Sequence, residues 1–164
     1  QINQVMALSL AGVRPRDWPD AAMPDAGAAI ASTGLQQSGR MLRLSRAIDR
    51  RDAQAARSDA LALTAAFNDA PPVFQSAIAV TLASHAALLV GDRRLVSAWR
   101  LRCEGGLMDL SPYRAWLDAE IARLDGDGVA CTAQVERARG LVDRIPDAAS
   151  RMVLQERLDV LAHA

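Results

Sequence analysis

The chain has 164 residues, of which 51% are hydrophobic and only 4% aromatic. That is one domain's length, long enough to bury a core without staples, and too apolar for a disordered chain. Nineteen basic and nineteen acidic residues cancel to a net charge of zero, which argues against a general nucleic-acid binder.

Residues 2 to 13 are apolar but shorter than a membrane span, and Arg14-Pro15-Arg16 follows them. They read either as the end of a membrane helix or as a first amphipathic core helix, and pattern alone favours the second. A chain opening on Gln1 is expected to be a fragment or a processed product. Residues 14 to 34 form a connector, because Pro15, Pro19 and Pro24 block helix continuation and Gly27 and Gly34 loosen the backbone. The expected division is residues 1–34 as N-terminal helix and connector, and 35–164 as a helical-repeat domain.

From there the apolar residues follow helical spacing. Met41, Leu44, Ser45 and Ile48 share a face. Asp52 is placed to cap a helix running to about Asn68. Pro71-Pro72 opens the next, with Phe74, Ala77, Ile78, Thr81, Leu82 and His85 on one face. Asp92 caps a helix carrying Leu95, Val96, Trp99 and Cys103, which Gly105-Gly106 ends. Ser111-Pro112 reads as N-cap then proline, ahead of Tyr113, Trp116, Leu117, Glu120, Ile121 and Leu124. After Gly126-Asp127-Gly128, one helix is expected to carry Cys131, Val135, Ala138, Val142 and Ile145 as far as Pro146. Leu154, Leu158 and Leu161 line the last. The fold class predicted is all-α, an array of antiparallel helix pairs, with residues 74–90 and 113–124 central.

An internal repeat supports that class. Asp52, Asp92 and Asp127 stand at turns, and a proline follows each after 19, 20 and 19 residues, at Pro71, Pro112 and Pro146. Successive prolines are 41 and 34 residues apart, within the range of tetratricopeptide-like helix pairs. One pair cannot cover its own apolar face, so stacked pairs share a continuous core.

Candidate chemistry is sparse. The chain has no HExxH, P-loop, GxSxG or GxGxxG, and its two histidines, His85 and His163, exclude a histidine-rich metal site. No catalytic, cofactor-binding or metal residue is assigned, and no cofactor is expected. Asp125, Asp127 and Glu136 occupy positions 1, 3 and 12 of a calcium-loop register, but Val129 and Ala130 stand where an oxygen ligand and a turn glycine are needed. The spacing is therefore read as a turn. His85 and Glu120 fall on first helices of adjacent repeats and are expected to meet as a hydrogen-bonded core pair rather than an acid–base dyad. Two arginine groups (Arg93, Arg94, Arg100, Arg102; and Arg137, Arg139, Arg144) read as solvated faces rather than an anion site. Trp99 and Trp116 read as core, and Cys103 and Cys131 as small buried residues.

One segment carries a family resemblance. Leu8 to Pro19 contains Gly12-Val13-Arg14-Pro15-Arg16-Asp17-Trp18 and resembles the segment after the last membrane helix in bacterial M50-type (site-2-protease-like) membrane metallopeptidases. There an apolar helix end leads into G-x-R-P-R-D-W. Ala47-Ile48-Asp49-Arg50-Arg51-Asp52 is similar to an A-L-D-R-G-D-like turn in the same group. The family's zinc-binding HExxH and later Asp ligand match nothing here, so no catalytic residue carries over. The resemblance implies a soluble, non-catalytic C-terminal tail. The parent would be a membrane metallopeptidase, reached through upstream spans and leaving the tail at the cytoplasmic face of the inner membrane. The implied partner is a protein or peptide, not nucleic acid. Sequence leaves two alternatives: a free-standing tetratricopeptide-like adaptor, and a small helical enzyme, which has no motif behind it.

Overall fold

The computed structural model describes residues 33–68, 76–104, 109–146 and 148–163. Those residues form seven α-helices and one 3-10 turn, without a strand among them. They are α1 (Thr33–Asp49), α2 (Ala53–Asn68), α3 (Ser76–Leu89), α4 (Arg93–Leu101), α5 (Ser111–Leu124), α6 (Gly128–Arg139), the turn Val142–Arg144, and α7 (Ala148–Ala162). The readings of residues 1 to 32 and of Pro71, Pro72 and Phe74 lie outside the described residues. The first helix starts at Thr33, so Gly34 is helical rather than part of the connector.

Three antiparallel pairs, α1/α2, α3/α4 and α5/α6, are closed by the same device. At each turn the helix ends in a Schellman motif. The amides of Asp52, Asp92 and Asp127 reach back to the carbonyls of Ala47, Ala87 and Ala122 at 2.8–2.9 Å. The amides of the preceding residues, Arg51, Gly91 and Gly126, donate to Ile48, Leu88 and Arg123. The same aspartate then caps the next helix. Its side chain accepts from Ala55, Leu95 or Ala130 at 3.0, 3.1 and 2.9 Å. Each aspartate thus ends one helix and starts another, so the repeat seen in the sequence is a repeat of geometry. Replacing any one of them by alanine should lower stability by about 1 kcal/mol in a denaturant titration. An unchanged midpoint for all three would show that the caps contribute nothing.

The motif needs a left-handed residue just before the aspartate. Gly91 and Gly126 supply it with φ of +68° and +75°. In the first turn the same place is held by Arg51 at φ +55°. A Cβ makes that conformation cost about 1–2 kcal/mol.

The pairs stack through their first helices. α1 packs on α3, α3 on α5 and α5 on α7, while each second helix fits between the first helices flanking it. This is the stacked array of helix pairs that the spacing predicted. One continuous core runs along the stack, from Leu44 and Leu63 through Val80, Val96 and Trp99 to Trp116, Leu117, Val135 and Leu158.

Three local readings need correction. Ser111 is not the N-cap of α5: buried Leu110 holds that place, and Asp109 accepts the Ser111 amide at 3.0 Å. The helix expected to reach Ile145 ends at Arg139, and Val142–Arg144 is a 3-10 turn. Ile145, as the residue before a proline, is extended. The face of α3 was also misplaced. Ala79, Val80, Ala83, Ser84, Ala86 and Ala87 are its buried residues, while Thr81, Leu82 and His85 are half-buried. α3 touches α1, α2, α4 and α5, and small side chains nearly all round permit that crowding.

Candidate functional site

The repeat register builds a groove. Counting back from each capping aspartate, the seventh residue is Ser45, His85 or Glu120, and the fourth is Ile48, Leu88 or Arg123. Because α1, α3 and α5 lie side by side, all of these positions except Ser45 line one groove. α7 closes it with Arg157, Val160 and Leu161, leaving a groove of about 470 Å³. Its apolar surface comes from Ile48, Leu88, Leu89, Val160 and Leu161. Its charges are Arg51, Arg123, Arg157 and a single carboxylate, Glu120.

Glu120 is already engaged. Its Oε2 accepts from Arg123 Nε at 3.0 Å, and its side chain is only 8% exposed. Arg51 and Arg157 have no carboxylate partner among the described residues. The groove is therefore cationic in a chain that is neutral overall.

His85 lies in the same groove, but the hydrogen-bonded pair with Glu120 is not formed. The imidazole instead meets the Trp116 indole edge-on, with ring centroids 5.3 Å apart. Burial first, and then the Arg157 charge, push its pKa down to about 3. His85 is thus a neutral ring at physiological pH. It has neither a carboxylate to orient it nor a hydroxyl or thiol beside it in the groove. These side chains can hold a ligand, but they do not assemble a nucleophile with its base.

The other candidates resolve as structural. Asp125 is clamped by Arg93 through two bonds of 2.6 Å, Asp127 caps α6, and Glu136 pairs with Arg139. The calcium-register residues are spent on the turn and its neighbours, and no cluster of three metal-ligating side chains exists among the described residues. Most of the singled-out arginines have partners too. Arg100 bonds Asp118 and Glu104, and Arg102 bonds the Phe67 carbonyl and lies over the Trp99 ring. Arg139 bonds Asp159, and Arg144 lies 3.5 Å from Asp109. Trp99 is core, with its indole N–H on Thr64 at 3.0 Å and Phe67 edge-on. Cys103 and Cys131 are buried free thiols, and burial pushes Cys103 up to about 12. It is therefore a poor nucleophile.

Sequence reasoning missed Arg51 and Arg157. Arg51 sits in a turn and Arg157 in the last helix, and only the stacking of first helices brings them together. The one signal for Arg51 was its place in the repeat, where the other turns have glycine. No helix among the described residues is long and apolar enough to cross a membrane. No protein-family model, curated protein or solved structure matches the chain.

Proposed function

We propose that the chain is a non-catalytic interaction or regulatory domain that holds a protein or peptide partner in the groove across α1, α3, α5 and α7. The supporting observation is the groove's make-up: five aliphatic residues, three arginines against one carboxylate, and no hydroxyl or thiol nucleophile among its lining residues. Grooves between helices that combine apolar surface with a few placed polar groups suit extended or helical segments. No metal or cofactor enters this function.

The resemblance at residues 12–19 supports reading this domain as the tail of an M50-like membrane zinc metallopeptidase. With residues 1–13 as the end of a membrane span, Arg14 and Arg16 form a short Arg-rich flank, which supports a position at the cytoplasmic face of the inner membrane. A bound partner there would control access to the protease. The alternative is a free-standing adaptor using the same groove. The coding sequence upstream of Gln1 separates them: hydrophobic spans with HExxH favour the first, and a start codon within a few residues favours the second.

A photo-crosslinking residue placed at Leu89, inside the groove, should capture a discrete partner in cells. The same residue at Val129, which is 84% exposed on α6 away from the groove, should not. Equal capture at both places would remove the groove from the function.

A further inference from the structure

We infer that the groove takes an acidic, aliphatic segment of a partner protein, with Arg51 and Arg157 gripping its carboxylates; this rests on reading the groove as a peptide site. Two independent observations carry it. The first is charge. Glu120 and Arg123 satisfy one another at 3.0 Å, so the charge left over is the two arginines that have no carboxylate partner among the described residues. Ile48, Leu88 and Leu161 line the same groove, suit an aliphatic side chain and offer nothing to a second charge.

The second observation is strain. Three turns share one motif, and the motif asks for a left-handed residue without a side chain. Gly91 and Gly126 comply, and a Cβ built on either meets nothing within 4 Å, so φ rather than space is what favours glycine there. Arg51 adopts the same conformation at φ +55° with a full side chain, and that side chain lines the groove. The fold gains nothing from an arginine there, since the hydrogen bonds are those of the other two turns. Backbone strain kept at one repeat out of three, on a residue that faces the groove, points to use of the guanidinium. Arginine presents a planar fork that matches a carboxylate with two hydrogen bonds.

The test starts from random nonapeptides displayed on phage and selected against the full 164-residue chain. Enriched peptides are then measured by fluorescence anisotropy on wild type, R51G, R51K, R157A and R137A. Arg137 is an exposed arginine on α6 outside the groove, so R137A makes the same change in net charge elsewhere. The expected consensus has Asp or Glu flanking Leu, Ile or Val. R51G and R157A should each weaken binding about fivefold or more, R51K should weaken it less than R51G, and R137A should leave it unchanged. R51G should melt at or above the wild-type temperature, which separates lost grip from lost fold. Enriched peptides that are neutral or basic, or acidic ones indifferent to R51G, would overturn this inference and leave the peptide groove standing. No enrichment at all would overturn both. Binding of phosphatidylglycerol vesicles that R51G abolishes, with no peptide competing, would assign the two arginines to a membrane surface instead.

Discussion

Replacing Trp116 by alanine is expected to cost about 3–5 kcal/mol, the range for emptying a large aromatic site in a packed core. Trp116 is 1% exposed and shares the inner face of α5 with Tyr113 and Leu117, which are 5% and 0% exposed. It meets His85 of α3 edge-on, so it joins the two central first helices behind a residue that lines the groove. The cavity left behind would lie between helices whose other contacts are mostly alanines, which cannot swell to fill it. In a domain of this size the melting temperature should fall by on the order of 10 °C or more. Trp116→Phe is the informative companion. The indole N–H has no hydrogen-bond partner among the described residues, so phenylalanine keeps most of the apolar contact and removes a buried orphan donor. It should cost clearly less than alanine. A Trp116→Ala loss below about 1 kcal/mol would mean that α5 does not pack through this face.

The parts of the fold legible in the sequence are those where one local residue decides the backbone. An aspartate at each helix-to-helix turn has one favourable job, and all three perform it. The buried faces of α4 and α7 were legible because polar residues alternate with the apolar stripe, as at Leu95, Val96 and Trp99 or Leu154, Leu158 and Leu161. α3 lacked that contrast. A helix touched by four others is apolar or small almost all round, so periodicity could not say which side is innermost. The segment after Arg139 misled for the opposite reason. Val142 and Ile145 are buried at 2% and 3%, continuing the stripe while the backbone leaves the α-helix. Ser111 failed as a cap because Asp109, two residues earlier, takes its amide first.

The groove was half legible. His85 and Glu120 were recognised as facing residues of adjacent first helices, and both do line it. Their partners were not foreseeable, because Arg123, one turn along α5 from Glu120, outcompetes a neutral imidazole for the carboxylate. Arg51 and Arg157 join only through tertiary stacking, a link that no local pattern encodes. The arginine clusters that stand out in the sequence are, by contrast, mostly neutralised by aspartates and glutamates of their own and neighbouring helices.

Acidification below pH 6.5 should destabilise the chain, and His85 should be the cause. Its pKa falls from 6.5 to about 3 on folding, through burial and then the Arg157 charge. The folded pKa is depressed, so the unfolded chain binds the proton more readily. Stability is fully present above pH 6.5, is lost as pH drops through that value, and levels off only near pH 3. The slope is about 1.4 kcal/mol per pH unit, so roughly 2–3 kcal/mol should go between pH 6.5 and 4.5. That window belongs to the histidine. Asp109 and Asp125 are held below the ordinary carboxylate value of 3.8, by Ser111 and Arg93 respectively, and their contributions fade only at lower pH. The charged groups facing the imidazole across the groove are Arg157, Arg51 and the Glu120–Arg123 pair. Only Glu120 can answer a proton on His85, and doing so means leaving Arg123. His85→Phe keeps the ring contact with Trp116 and removes the titration, so urea titrations of the variant should give one stability at pH 6.5 and 4.5. A wild-type stability that is flat across this window, or a variant that loses as much as wild type, would show that His85 accepts its proton inside the fold.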